Sequence, residues 1–262
     1  MNRITQKFKD LKKVGKKALI PFITAGDPSL KVTEELVLAF ERSGADVIEL
    51  GVPFSDPLAD GPTIQASSQR ALDKGVTCAK ILQSVKNLRR KTEIPIALMM
   101  YYNPIFHHGE KRFVKQVKQA GVDGLIIPDL PPEEAGSLRK ICKKEDVSLV
   151  FFLSPTTTAA RMKKIAKAAT GFIYYVSLTG VTGARKQMSQ DYIKHIRAAK
   201  RVTKTPICVG FGISTPAHVK KVSKHSDGVI VGSAIINEIQ KNKGKKNLVS
   251  NVARFVKRLV NV

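Results

Sequence analysis

Short apolar runs rich in β-branched residues alternate along this chain with longer segments whose apolar residues recur every three or four positions. The strand-like runs are Ala18–Ile23, Val47–Leu50, Ile96–Met100, Gly124–Ile127, Leu149–Leu153, Phe172–Val176, Ile207–Gly210 and Gly228–Val231. They are nearly continuous in apolar character, which predicts strands covered on both faces in a parallel sheet. Between them, Val32, Leu36 and Phe40 form one helical stripe, and Phe113, Val114 and Val117 another. Met162, Ile165, Ala166 and Ala169 form a third, and Leu248, Val252, Phe255, Val256 and Leu259 a fourth. These stripes read as packing faces against a sheet. Thr215-Pro216 reads as an N-cap followed by proline at the first helical position. Eight β-then-α units with no linker predict an α/β fold, a closed (β/α)8 barrel with extra N-terminal and strand-8 helices. A doubly wound open sheet, usually of five or six strands, ranks second. A length of 262 residues suits one barrel, so residues 1–262 read as a single domain.

Composition narrows the class of protein. No apolar run approaches the roughly 20 residues needed to span a bilayer, and the first residues lack the apolar stretch of a secretory signal. Cys78, Cys142 and Cys208 have no disulfide or metal-ligand spacing and read as inert thiols. The expectation is a cytoplasmic protein with no membrane role. Charge is the anomaly: 45 Lys and Arg against 21 Asp and Glu leave a net +24. Such a surplus raises nucleic acid as a partner. The basic residues are spread over the outer faces of many helices, without zinc-finger spacing or an RNA-binding aromatic signature, and this argues against that role.

Barrel chemistry sits at the C-terminal ends of strands, and there the sequence turns polar and glycine-rich. Glu49 interrupts an apolar run, and alternation places it on the opposite face from Ile48 and Leu50. A carboxylate in the barrel mouth loses solvation, so its pKa rises toward the range useful for acid–base work. The bland alternative is a buried ion pair, but no basic residue flanks Glu49 within its strand. The loop from Pro53 to Pro62 adds Asp56 and Asp60, between which spacing alone cannot choose. Gly180-Val181-Thr182-Gly183, Gly210-Phe211-Gly212-Ile213-Ser214 and Gly232-Ser233-Ala234-Ile235 follow the last three strands. Glycine lets backbone N–H groups approach an anion, and Gly232-Ser233 opens a helix, so a phosphate site is expected. His107-His108, read as a loop pair, makes a poor metal site. His195, His218 and His225 read as surface residues on helices. No metal and no cofactor are expected.

Several long motifs resemble one family. They are Phe22-Ile23-Thr24-Ala25-Gly26-Asp27-Pro28, then Glu49 to Pro57 with Ala59-Asp60-Gly61-Pro62, Met100-Tyr101-Tyr102-Asn103-Pro104, Pro128-Asp129-Leu130-Pro131, and the three glycine-rich turns. In this order they resemble the α-subunit family of tryptophan synthase, among the phosphate-binding barrels. The resemblance implies a carbon–carbon lyase that cleaves indole-3-glycerol phosphate to indole and glyceraldehyde 3-phosphate, late in tryptophan biosynthesis. It implies Glu49 as the acid–base residue, Asp60 as the catalytic aspartate, and Tyr174 in the site. Phe22, Ile64 and Met100 would line the indole pocket. Thr182, Gly183, Phe211, Gly212, Gly232 and Ser233 would hold the phosphate, under a lid at 182–189. A β subunit carrying pyridoxal phosphate would dock on Pro53, Asp56, Asn103, Pro104, Asp129 and Pro131, giving an α2β2 heterotetramer. Two alternatives stay open: a non-catalytic α-like regulatory subunit, and a stand-alone lyase that releases indole.

Overall fold

The computed structural model describes residues 1–176, 191–210 and 212–260. Eight strands close in sequence order into a fully parallel barrel. They are β1 (Ala18–Thr24), β2 (Ile48–Gly51), β3 (Ile96–Met99), β4 (Gly124–Ile126), β5 (Ser148–Leu153), β6 (Ile173–Val176), β7 (Ile207–Gly210) and β8 (Gly228–Val231). The helices among the described residues run from α1 (Arg3–Lys13), α2 (Leu30–Arg42), α3 (Pro62–Leu72) and α4 (Cys78–Leu88) to α5 (Tyr102–His108) and α6 (Glu110–Ala120). After them come α7 (Gly136–Lys144), α8 (Ala159–Ala168), α9 (Asp191–Val202), α10 (Pro216–Ser223), α11 (Ser233–Lys241) and α12 (Leu248–Val260). The expected extra helices are therefore present, α1 before the first strand and α12 beyond the helix that follows the eighth.

Local sequence explains where helices begin. Ser29, Thr77, Thr158 and Thr215 each accept a bond from the N–H three residues on, satisfying a donor the helix cannot. Pro62 and Pro216 sit at the first helical position, where a missing N–H costs nothing.

Strand alternation divides the core into two shells. Leu19, Ile48, Leu50, Leu98 and Leu125 face outward against the helices. Ala18, Ile20, Val47, Ala97, Ile126, Val150, Tyr174, Cys208 and Ile230 fill the barrel interior. Helix α1 plugs the N-terminal end of that interior with Ile4, Phe8 and Leu11, and the Phe8 ring lies 5.9 Å from that of Phe172.

The same end carries a repeated clamp. A residue one to three positions before each even-numbered strand accepts, through its side chain, an N–H from the preceding odd strand. Asp46 accepts from Leu19, Asp123 from Ile96, Thr170 from Leu149 and Asp227 from Ile207, at 2.8 to 3.0 Å. Each bond satisfies a strand-end donor that the parallel ladder leaves open.

Two local expectations change. His107 and His108 end a helix, α5, instead of lying in a loop. Pro104 does not prevent this helix because it occupies the first turn, where its N–H would have no partner anyway. His225 lies beyond the end of α10, half-buried, with its ring against Tyr192.

Candidate active site

Glu49 lies on β2 between Phe22 of β1 and Ala97 of β3. Its parity matches Val47, so its side chain enters the barrel interior, and the small side chain of Ala97 sits beside it. The residue is fully buried. Among the described residues neither carboxylate oxygen has a hydrogen-bond partner. Burial, with a smaller contribution from the negative charge of Asp60, raises its pKa to about 8. A glutamic acid in this state holds its proton at neutral pH and can give it away.

Asp60 is placed by the end of the loop that leaves β2. Its N–H donates to Pro57, and its carbonyl accepts from the Gln65 side chain in the first turn of α3. Helix α3 is itself pinned to β1. The Thr24 and Ser67 hydroxyls are 2.6 Å apart, and Arg70 donates two bonds to the buried carboxylate of Asp27. Burial raises the Asp60 pKa to about 6, and a bond from the Tyr101 hydroxyl opposes that rise. Asp56, by contrast, is exposed and pairs with the neighbouring Ser55 hydroxyl. Burial thus separates two aspartates that spacing could not.

Aromatic rings line the mouth, and glycine makes room for them. Tyr174 points inward from β6 with its ring centroid 5.0 Å from that of Phe152. A Cβ on Gly210 would collide with the Tyr174 hydroxyl. A Cβ on Gly51 would meet the Phe22 ring at 2.6 Å. Both glycines end strands, so the rings can lie across the strand ends only where no side chain stands. Ile64 is partly buried at the start of α3.

At the end of β3 two methionines stand side by side. Met100 is buried with the outer shell, while Met99 packs against both the outer shell and the interior and pairs with Gly51 and Ile126. Side chains alternate along a strand, so Met99 shares the inward parity of Ala97, and Met100 follows the end of β3. Sequence reasoning missed Tyr101, whose hydroxyl donates to Asp60 at 3.2 Å and accepts from the Ala59 N–H at 2.9 Å. Tyr101 belongs to the motif that carried the resemblance, which was the available signal.

Of the expected phosphate residues, Gly232 caps α11 and Ser233 begins it, while Gly212 adopts a left-handed φ of 72° beyond β7. Thr182, Gly183, Phe211 and the expected lid at 182–189 lie outside the described residues. The expected partner-contact residues fall on three neighbouring segments. Pro53 and Asp56 are on the loop after β2, Asn103 and Pro104 on α5, and Asp129 and Pro131 on the loop after β4. Asp129 receives the Tyr102 N–H on both carboxylate oxygens, tying the second segment to the third.

Charge is segregated as well. The described segments joining strand ends to helices at this face carry Asp27, Asp56, Asp60, Asp129, Glu133 and Glu134, and no Lys or Arg. Among the described residues the surplus of positive charge therefore sits on the helices and at the far end. A recess of about 580 Å³ lies at that far end, beside Asn2, Arg139, Lys140 and Lys143. It is remote from Glu49, and no buried acid–base pair lines it. No cluster of three or more His, Cys, Asp or Glu able to hold a metal occurs among the described residues. No helix among them is long and apolar enough to cross a membrane.

A closed barrel with two desolvated carboxylates at the C-terminal mouth is the arrangement of a (β/α)8-barrel enzyme. The family model for the tryptophan synthase alpha chain matches residues 8–261. A tryptophan synthase alpha chain from Geotalea daltonii is 52% identical over 246 residues, covering 94% of this chain and 93% of the relative. One from a Thermoanaerobacter species is 48% identical over 262 residues, covering both chains fully. Among solved structures, the Legionella pneumophila tryptophan synthase subunit alpha superposes with a TM-score of 0.90 at 40% identity, covering 99% of this chain and 97% of that one. A chain of the Pyrococcus furiosus tryptophan synthase α2β2 complex superposes at 0.87 and 40% identity, covering 94% and 98%. The chain belongs to the tryptophan synthase alpha chain family.

Proposed function

We propose that this chain cleaves indole-3-glycerol phosphate to indole and glyceraldehyde 3-phosphate, with Glu49 and Asp60 as its catalytic residues. The observation that carries the assignment of roles is a fully buried Glu49 without a hydrogen-bond partner among the described residues, beside a second buried carboxylate. Breaking the bond from indole C3 to the glycerol chain makes C3 the leaving atom, and C3 leaves well only once protonated. Protonated Glu49 delivers that proton. The resulting carboxylate then takes the proton from the hydroxyl on the adjacent side-chain carbon, whose electrons form the aldehyde as the carbon–carbon bond breaks. Asp60 accepts a bond from the indole N–H and stabilises the positive charge that protonation places on the ring. One group transfers protons and the other meets developing charge. This chemistry needs no cofactor in the chain itself.

Phe22, Ile64, Met99 and Tyr174 form the walls for the indole ring in this reading. Gly212, Gly232 and Ser233 hold the phosphate, with the start of α11 directing its N–H groups to the anion; Thr182, Gly183 and Phe211 complete that set. A β subunit carrying pyridoxal phosphate docks on the segments of Pro53, Asp56, Asn103, Pro104, Asp129 and Pro131. The α2β2 assembly named for the Pyrococcus furiosus relative supports that stoichiometry. The absence of a membrane-crossing helix among the described residues is consistent with a cytoplasmic enzyme.

The test is turnover of indole-3-glycerol phosphate, read as glyceraldehyde 3-phosphate, by the purified chain with and without a β subunit. Turnover that rises with β supports the reading. No turnover in either condition by folded protein returns the silent regulatory subunit, and turnover indifferent to β returns the stand-alone lyase. The pH profile of kcat/KM should be bell-shaped. Its rising limb belongs to ionisation of Asp60, near pH 6, and its falling limb to loss of the Glu49 proton, near pH 8. The two carboxyls interact, so the observed values belong to the pair.

A further inference from the structure

Tyr101 follows β3 and caps the start of α5, and it is buried. Three contacts join it to the loop after β2. Its ring stacks on Phe54 near the beginning of that loop, with centroids 5.1 Å apart and 25° between planes. Its hydroxyl accepts the Ala59 N–H at 2.9 Å and donates to the Asp60 carboxylate at 3.2 Å, both at the end of the loop. The next residue, Tyr102, donates its N–H to Asp129, while its hydroxyl turns away to Glu110. The Tyr101-Tyr102 pair is thus the meeting point of the three segments on which the β subunit is proposed to dock. It touches Asp60 directly.

We infer that Tyr101 is a positioning residue that fixes the Asp60 carboxylate and transmits partner docking to it through the loop it clamps at both ends. The inference rests on the reading of Asp60 as catalytic. Docking that orders Phe54 or α5 tightens the stack and the Ala59 bond. Both restrict the direction in which the Tyr101 hydroxyl faces Asp60. Burial holds the phenol far above its ordinary pKa, so it keeps the proton it donates across the working range. A bond to the ionised carboxylate favours that form, so loss of the hydroxyl has a signature in Asp60 itself.

The experiment compares wild type, Tyr101→Phe and Phe54→Leu, with Tyr102→Phe as a control for loss of a nearby hydroxyl. Carboxyl carbon NMR titration of Asp60 reads its pKa without substrate. Steady-state kinetics on indole-3-glycerol phosphate, from pH 5 to 9 with and without saturating β subunit, read function. The expected result for Tyr101→Phe is an upward shift of the Asp60 titration and of the rising kinetic limb. We expect kcat to fall roughly ten-fold, as for loss of one charge-assisted bond, with little change in KM. Stimulation by β shrinks in both Tyr101→Phe and Phe54→Leu and persists in Tyr102→Phe. An unshifted Asp60 titration, full stimulation in Tyr101→Phe, or an equal loss in Tyr102→Phe overturns the inference. If wild type cleaves no substrate, the catalytic reading fails instead, and the NMR titration still decides whether Tyr101 tunes Asp60.

Discussion

At the N-terminal end of the barrel, Asp123 is almost fully buried and accepts bonds from Arg3, Arg89 and the Ile96 N–H. At the C-terminal end, Glu49 is fully buried, and among the described residues its carboxylate has no partner at all. Burial raises both pKa values. At Asp123 the Ile96 N–H and the two guanidinium groups pull it back, whereas at Glu49 the negative charge of Asp60 adds to the rise. Asp123 is thus a compensated charge that ties α1, α4 and two strands together. Glu49 remains uncompensated, and a proton takes the place that a cation takes at the other end. The difference separates the end of the barrel whose buried carboxylate is paired from the end proposed to do the chemistry.

The contrast predicts opposite responses to similar substitutions. Glu49→Gln should lower turnover about 10²- to 10⁴-fold, the usual worth of a general acid–base group, while the protein stays folded. Asp60→Asn should cost about 10²- to 10³-fold through lost stabilisation of the indole charge. Single-turnover assays with saturating β subunit measure both; wild-type rates in either variant would remove that residue from the mechanism. Asp123→Ala should leave turnover per folded molecule within a few-fold of wild type. It should lower unfolding free energy in urea by about 3–5 kcal/mol, because two arginines lose their buried partner. Full stability in that variant would mean the network at the closed end is ornamental. The smallest effect falls on the repeated clamp. Asp46→Ala, which strands the Leu19 N–H, should cost about 1 kcal/mol, and Asp46→Asn less, since an amide oxygen still accepts.

Much of this architecture is legible in the sequence, for physical reasons. A strand covered on both faces must be apolar throughout, so all eight runs stand out, and their observed bounds differ from the expected ones by at most a residue at either end. Glu49 is legible because a carboxylate inside such a run violates the pattern. Other features depend on contacts that no local pattern encodes. The Tyr101 bond to Asp60 spans 41 positions in the chain and exists only once the barrel closes. A motif that includes Met100 does not reveal which residue is the last to obey strand alternation. Helix α5, which holds His107 and His108, is hard to read because it spans seven residues and buries only Ile105, too little for a helical stripe. The net charge of +24 says little about the site by itself. Its position does, since the described mouth loops exclude Lys and Arg altogether.

The central claim is that Glu49 is held uncharged at a cost in stability that serves the reaction. Its pKa rises on folding from an ordinary 4.5 to about 8. Its neutral form is therefore tolerated below the unfolded value, and wild type loses stability as pH climbs from there through 8. Glu49→Gln carries no such proton. Thermal and urea unfolding of both proteins at pH 5.5 and pH 9 measures the difference directly. The account predicts that the glutamine variant gains on wild type as pH rises, by up to a few kcal/mol at roughly 1.4 kcal/mol per pKa unit. A stability gap that stays flat across this range, or that moves in favour of wild type at pH 9, would contradict it.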